Sequence, residues 1–245
     1  MINNNSILVR EPTSGKSTMK IFRALQGILV GLVPFLVLGV IAHRLGTGTM
    51  PSDVLITLAY ALSIAAASVV LYRQGTGWRQ IGLARPKSWP RTVLLAIATL
   101  VMLFLVINVV QWIALSQPGL ATQPADVSRF NPLEGNLPLL LFYLLLAWTT
   151  ITFGEEMFFR AFLISQLEIV FQNTKVATVL AVLVSSITFG LAHYQEGPVG
   201  IVETFAMGLL FGAVYLGTGR NLWVTIIAHG LANTLRFVFV FAGAA

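Results

Sequence analysis

The chain has 245 residues, of which 56% are hydrophobic and only 10% are charged, and its formal net charge is +6. Soluble globular domains carry about 25% charged residues, so this composition excludes a soluble protein, which could not cover its own core. Cysteine is absent, which excludes disulfides, thiol catalysis and thiolate metal sites. The basic excess is typical of loops that orient a membrane protein and contact anionic lipid. Because no basic or aromatic-basic module accompanies it, we expect no nucleic-acid partner.

The predicted elements are spans of about 20 mostly apolar residues. Residues 1–20 are polar and are predicted to form a disordered tail rather than a signal peptide, because no short apolar core with a cleavage site follows. Residues 21–245 are interpreted as a single membrane domain. Its seven apolar stretches are Phe22–Ala42, Val54–Tyr72, Val93–Leu115, Leu137–Leu163, Val176–Ala192, Gly200–Leu216 and Leu222–Phe241.

The fourth stretch continues to Phe171 and is too long for one straight span. It therefore bends, with Gly154 as the candidate position, or contains an eighth element that lies in the membrane interface. The sequence thus predicts an all-α, polytopic transmembrane helical bundle with about seven spans, or eight.

Lys and Arg in short loops predict the orientation of such a bundle. The tail and the loop after the second stretch are rich in them, and Lys175 and Arg220 fall on the same side if all seven stretches cross. Only Arg44 and Arg129 lie in loops on the other side. We expect an integral protein of a bacterial-type plasma membrane with a cytoplasmic N-terminus and, for seven spans, an external C-terminus.

The fourth stretch contains three charged residues, Glu155, Glu156 and Arg160, among aromatic residues. An ionisable group inside a bilayer costs about 2.5–3.5 kcal/mol or more, so it indicates function by default. Glu156 and Arg160 are four residues apart and can form an ion pair on one helix face, which could serve only to join helices. Glu155 lies about 100° around the helix from Glu156. A structural ion pair does not explain this second carboxylate.

Three further polar residues stand in the fifth and seventh stretches. His193 ends the fifth stretch on the same face as Phe189, and His229 and Asn233 are four residues apart on one face of the seventh. Taken singly, they also suit an interfacial histidine and interhelical hydrogen bonds. The small residue Gly230 would allow another helix to approach closely.

Two other polar residues, His43 and Arg236, are interpreted as side chains that reach the membrane interface, Arg236 by snorkelling. Glu203, a few residues inside the sixth stretch, either reaches the interface, which we favour, or is a pathway residue. The remaining set can support two kinds of chemistry. A carboxylate and an imidazole can hold and deprotonate a water, while a second imidazole and an amide NH₂ donate to an oxyanion. Alternatively, two His and one Glu match a catalytic zinc site with an open fourth position.

In this order and spacing, the polar residues resemble the type II CAAX prenyl endopeptidase family, also called the CPBP intramembrane proteases. The resemblance covers about residues 137–241, the predicted peptidase core. Three family motifs are present: E-E-x-x-x-R as Glu155, Glu156 and Arg160, F-x-x-x-H as Phe189 and His193, and H-x-x-x-N as His229 and Asn233.

The resemblance implies an endopeptidase that hydrolyses a peptide bond of a membrane-presented or lipidated protein or peptide. It implies that Glu155 activates the water together with His193. His229 and Asn233 would then stabilise the oxyanion. The resemblance also implies two partners, membrane lipid and a membrane-anchored protein or peptide substrate.

The same resemblance gives Glu156 and Arg160 the task of bracing the site or positioning the substrate. Family members are described both as metalloproteases and as glutamate-dependent enzymes without a metal. The cofactor is therefore open between a divalent metal such as zinc and none. Because the zinc-protease helix motif H-E-x-x-H is absent, we favour no tightly bound metal.

Two other functions remain open at this point. One is a non-catalytic membrane scaffold, immunity or regulatory protein with the same fold. The other is a proton-coupled transporter, which would require a repeat symmetry that the sequence does not show.

Straight spans place Glu155, His193 and His229 at different depths in the membrane. A shared site therefore requires helices that are short, tilted or broken.

Overall fold

A computed structural model describes residues 14–45, 50–117, 125–126 and 128–244, and these residues contain helices and no strand. The predicted all-α class is thereby confirmed. Short helical turns at Arg79–Leu83, Ser128–Leu133 and Tyr194–Glu196 connect longer helices. The longer helices are α1 (Ser14–Leu45), α2 (Met50–Arg73), α3 (Trp89–Leu115), α4 (Leu137–Val170), α5 (Lys175–Leu191), α6 (Gly197–Gly217) and α7 (Leu222–Phe241).

Six of these helices are long and apolar enough to cross a membrane, and α5, with 17 residues, is a shorter apolar helix. The count of seven or eight spans therefore remains a prediction. The first helix begins at Ser14, inside the predicted tail, because Ser14–Lys20 contains no proline that would prevent a helix. Residues 1–13 of that tail lie outside the described residues.

The outer surfaces of α1, α2 and α3 carry many large apolar side chains that are mostly exposed. Leu36 is 64% exposed and Leu94 is 66% exposed. Large contiguous apolar surfaces are rare on soluble monomers. Hydrocarbon is the environment that such surfaces require, so the chain is an integral membrane protein.

One end of the bundle, which we call the proximal end, joins the end of α2, the end of α4 and the start of α5. The side chains of Gln74 and Gln166 exchange two hydrogen bonds of 2.8 and 3.1 Å. Arg220 donates from one nitrogen to both oxygens of Glu168, at 2.8 and 2.9 Å, and Thr178 donates to the same carboxylate. These contacts hold the last two turns of α4 within protein.

The turn Arg79–Leu83 is packed tightly against the proximal end. Gly82 has φ +115°, and a Cβ there would lie only 2.5 Å from the carbonyl oxygen of Arg220. Tyr215 closes the contact by donating from its hydroxyl to the Ile81 carbonyl at 2.7 Å. Only glycine fits both the positive φ and this close approach.

The opposite, distal end is closed by a second set of polar contacts. Glu196 is buried and forms ion pairs with Arg129 at 3.1 Å and with Arg236 at 3.7 Å. Tyr143 of α4 donates to the carboxylate of Asp53 near the start of α2. Helix α5 runs from the proximal end to this distal end.

The centre of the bundle is occupied by α4, whose aromatic residues pack against α1, α2 and α5. Phe35 of α1 makes edge contacts with Tyr60 of α2 at 4.7 Å and with Phe158 of α4 at 5.0 Å. Two stretches of α4 have wider, π-helical turns, Ala147–Ile151 and Glu156–Leu163. Such turns inside an α-helix frequently mark functional sites.

Candidate active site

The second wide stretch of α4 presents the predicted ion pair. Glu156 and Arg160 are buried, with 0% and 1% exposure, and the Arg160 Nε lies 3.4 Å from Glu156 Oε2. The guanidinium also lies 4.0 Å from the centre of the Phe189 ring. A buried carboxylate must be paired, and Arg160 supplies the opposite charge.

His229 of α7 lies between the two adjacent carboxylates. Its Nδ1 is 2.9 Å from Glu156 Oε1, and its Nε2 is 3.5 Å from Glu155 Oε2. Because a carboxylate accepts hydrogen bonds, the Nδ1–H of His229 donates to Glu156. The Nε2 is thereby turned towards Glu155, so Glu156 orients the imidazole.

Gly230 allows α7 to come this close to α4. A Cβ on Gly230 would lie 2.6 Å from ring carbons of Trp148. The indole of Trp148 donates from Nε1 to the Thr234 hydroxyl at 3.0 Å, which fixes the ring over the glycine. The neighbouring residue, His229, is therefore held at the level of the α4 carboxylates.

Tyr60 of α2 is a partner of Glu155 that the sequence did not single out. Its hydroxyl donates to Glu155 Oε1 at 2.7 Å, and both side chains are buried. Gly154 makes room, because a Cβ there would lie 3.2 Å from the Tyr60 Cβ. A tyrosine within an apolar span needs a hydrogen-bond partner, and this is the signal that could have identified it.

Asn233 lies one turn after His229 on α7 and contacts α4 through Thr152. Its Nδ2 donates to the Thr152 hydroxyl at 2.9 Å. An amide nitrogen carries two hydrogens, so this bond leaves the second one free. Thr152 was also missed, because a threonine in an apolar span has no distinctive sequence pattern.

His193 follows the end of α5, at the start of the turn Tyr194–Glu196. Its Nδ1 is 3.0 Å from the carbonyl oxygen of Phe189, and its ring packs edge-on against the Phe189 ring at 4.9 Å. A carbonyl can only accept, so Nδ1 carries the hydrogen and Nε2 is left as an acceptor.

Four of the six predicted residues line one cavity of about 430 Å³ that extends inward from the distal end. They are Glu155, His193, His229 and Asn233. His193 can line this cavity because α5 ends early, at Leu191. The cavity extends inward from there as far as Glu155. Glu156 and Arg160 do not line it and lie behind its wall.

Three other polar residues have different surroundings from those predicted. Arg236 does not simply snorkel to the interface, since it lines the cavity and pairs with Glu196. His43 packs against the Tyr194 ring at 5.5 Å. Glu203 is half-buried, and its Oε1 makes no hydrogen bond to the described residues.

A metal site was the alternative use of this set. Among the described residues, no group of three or more His, Asp or Glu side chains is arranged to hold a metal ion. The Nδ1 of His229 and the Nδ1 of His193 are hydrogen-bonded to Glu156 and to a backbone carbonyl, which leaves the Nε2 of each ring available. The preference for a site without a tightly bound metal therefore stays a prediction.

A comparison with protein families matches this part of the chain. The family model described as type II CAAX prenyl endopeptidase Rce1-like covers residues 137–235. We call residues 137–235 the Rce1-like domain, after the family model that they match. The resemblance predicted from the three motifs is confirmed. No curated protein and no solved structure matches the chain.

The Rce1-like domain begins with α4 and ends within α7, so it contains all six predicted site residues. Helices α1, α2 and α3 lie outside the matched range. Tyr60 and the α1 wall of the cavity, which includes Phe35 and Gly39, therefore come from the part of the chain that the family model does not cover.

Proposed function

We propose that this chain is an intramembrane endopeptidase that hydrolyses a peptide bond of a membrane-presented or lipidated protein or peptide. The Rce1-like domain is that of a protease family. The observation that carries the proposal is the single cavity lined by Glu155, His193, His229 and Asn233. A carboxylate, two imidazoles and an amide can activate a water and stabilise an oxyanion, the two tasks of peptide hydrolysis without a covalent intermediate.

Glu155 and His193 are the proposed water-activating pair. The Nε2 of His193 is an acceptor, because its Nδ1–H is held by the Phe189 carbonyl. When the water oxygen bonds to the substrate carbonyl carbon, its proton passes to Glu155. The same proton then moves to the leaving amine as the C–N bond breaks, so one water is consumed and Glu155 is regenerated.

His229 and Asn233 are the proposed oxyanion donors. Asn233 has one Nδ2 hydrogen left after its bond to Thr152. The Nδ1 of His229 is bound to Glu156, so Nε2 is the nitrogen of His229 that faces the oxyanion in this proposal. One donor to an oxyanion contributes about 2.7–4 kcal/mol to transition-state stabilisation.

Glu156 and Arg160 are proposed to act behind the cavity. Glu156 holds the Nδ1–H of His229 at 2.9 Å, and Arg160 balances the charge of Glu156. A histidine whose second nitrogen is held by a carboxylate has a fixed orientation. In this mechanism Glu156 and Arg160 position His229, and no step uses a metal.

The membrane topology is part of the proposal. Helix α5 joins the proximal and distal ends, so we propose that it is the seventh crossing of a single membrane domain. With the N-terminus cytoplasmic, the proximal end faces the cytoplasm. The cavity then opens on the outer side of a bacterial-type plasma membrane, where it would meet its substrate.

The decisive experiment is the substitution Glu155→Gln in the purified full chain, assayed with membrane-anchored peptides in liposomes. General acid–base catalysis contributes about 10²- to 10⁴-fold, so we expect cleavage to fall by at least about 100-fold. Glu203→Gln is the matched control, since Glu203 is another carboxylate in the bundle that does not line the cavity. Equal cleavage by the Glu155→Gln protein would refute the mechanism.

A double variant, in which His229→Gln is added to Glu155→Gln, separates the enzyme from a non-catalytic scaffold. A deletion strain that is fully rescued by a protein with both Glu155→Gln and His229→Gln needs only the folded chain. We expect no rescue by this double variant and full rescue by Glu203→Gln.

A further inference from the structure

A second concave surface lies between α1 and α2, near the proximal end and away from the candidate active site. This α1–α2 groove encloses about 800 Å³. None of its lining residues belongs to the cavity described above. The groove is lined by Arg23, Gln26, Gly27, Leu29 and Val30 from α1 and by Ala66, Val69, Val70, Arg73 and Gln74 from α2.

The two helices are antiparallel, and the contact between Gly27 and Val70 fixes their register. A Cβ on Gly27 would lie 2.7 Å from a methyl group of Val70. Moving outward along both helices from this contact leads to Arg23 and Arg73. Moving inward leads to an apolar part that includes Val30.

The α1–α2 groove therefore has a cationic end and an apolar end. From Arg23 to Val30 it spans seven residues, or about 10 Å along the helix axis. That length lies within one leaflet of a hydrocarbon core about 30 Å thick. The groove thus changes from charged to apolar along its length, as a lipid does from its headgroup to its acyl chains.

Within the described part of the chain, no acid compensates the charges at the cationic end. Arg23 and Arg73 are exposed, and neither forms an ion pair with any acid among the described residues. None of the described residues that line the groove is acidic. The nearby Glu168 is already bound by Arg220.

We infer that the α1–α2 groove binds one anionic glycerophospholipid. Its phosphate lies between Arg23 and Arg73, and an acyl chain follows the apolar part past Leu29, Val30 and Val69. A zwitterionic lipid would fill the apolar part but would carry a second positive charge to the two arginines. An anionic headgroup complements them, as basic residues near a membrane surface generally do.

The bound lipid also stabilises the bundle. Gln74 lines the groove and is hydrogen-bonded to Gln166 of α4. A ligand that contacts α1 and α2 at this point therefore holds both against α4. Because binding to the folded state alone raises stability by mass action, the melting temperature rises with the concentration of the lipid.

The test uses the purified full chain in neutral detergent, titrated with phosphatidylglycerol or with phosphatidylcholine of the same acyl chains. Native mass spectrometry measures binding, and thermal unfolding measures stability. The variant Arg23→Gln/Arg73→Gln is compared with Arg85→Gln/Arg91→Gln. The control removes the same charge from exposed residues on the same side, outside the groove.

We expect phosphatidylglycerol to bind the Arg23/Arg73 variant about 30-fold more weakly than the unsubstituted chain, from about 1 kcal/mol per arginine and 1.4 kcal/mol per tenfold. The Arg85/Arg91 control should bind as the unsubstituted chain does. Equal losses in both variants would show a nonspecific charge effect and would overturn the site, as would unchanged binding by the Arg23/Arg73 variant.

A third variant, Ala66→Trp, fills the apolar end and leaves both arginines in place. We expect it to weaken phosphatidylglycerol binding without lowering the melting temperature measured without lipid. Unchanged binding would overturn the assignment of the acyl chain to the groove. A lowered melting temperature without lipid would show that the tryptophan does not fit beside Ala66 and would overturn the assignment of this part of the groove as open. None of these results depends on peptidase activity, so the proposed function can fail independently.

Discussion

The substitution Tyr60→Phe tests whether the carboxylate of Glu155 depends on a helix outside the Rce1-like domain. It removes one oxygen, the one that donates to Glu155 Oε1 at 2.7 Å. The ring remains packed against Phe35. The change therefore deletes a hydrogen bond from a buried carboxylate and leaves the packing almost intact.

The expected magnitude follows from that hydrogen bond. Hydrogen bonds to charged groups contribute about 1.5–3 kcal/mol. If the bond holds Glu155 in the orientation that activates the water, this energy is lost from the transition state. At about 1.36 kcal/mol per tenfold in rate, kcat should fall by about 10- to 100-fold. Because Tyr60 does not bind the substrate in this mechanism, KM should change little.

The assay is steady-state cleavage of a membrane-anchored peptide in liposomes, with kcat and KM measured separately. Tyr143→Phe is the matched control, because Tyr143 lines the same cavity and donates to a different carboxylate, that of Asp53. We expect this control to keep its kcat. The reasoning is refuted if Tyr60→Phe keeps full kcat, or if both variants lose the same amount.

Three further outcomes are expected. Gly230→Ala should destabilise the bundle by about 1–3 kcal/mol, the usual cost of overpacking, because the alanine Cβ would lie 2.6 Å from the Trp148 ring. Reversible unfolding in detergent measures the free energy of unfolding, and an unchanged value would contradict the close contact. Dialysis against a strong chelator should leave cleavage unchanged, and a loss restored by zinc would contradict the metal-free mechanism. An impermeant maleimide added to intact cells should label Arg44→Cys but not Arg85→Cys in this cysteine-free chain, and the reverse pattern would invert the proposed topology.

The sequence predicted the helices well because length and hydropathy decide where a membrane-spanning helix can lie. The seventh stretch, Leu222–Phe241, has the same bounds in the structure. The fourth stretch was given as Leu137–Leu163 with a continuation to Phe171, and α4 runs to Val170. Its last turns carry Gln166 and Glu168, whose partners are protein side chains at the proximal end. Hydropathy alone does not show that such polar residues are buried.

Four of the six residues predicted for the site line one cavity, but the sequence did not predict their contacts. The spacing of Glu156 and Arg160 predicted an ion pair, and this pair is present. The bridging position of His229 depends on how closely α7 approaches α4. The wide turns of α4 change the relative depths of residues, and hydropathy does not reveal them. The short α5, in contrast, agrees within one residue at each end with the predicted stretch Val176–Ala192.

The origin of Tyr60 bears on how the site is built. The matched domain, α4 to α7, supplies every group proposed to take part in hydrolysis, but it does not supply the donor to Glu155. It also lacks one wall of the cavity, which Phe35 and other α1 residues provide. Without α1 and α2, Glu155 would face lipid with one oxygen unpaired, at a cost that an apolar medium makes severe. The first two helices are therefore part of the site, and the sequence of the Rce1-like domain alone does not specify it.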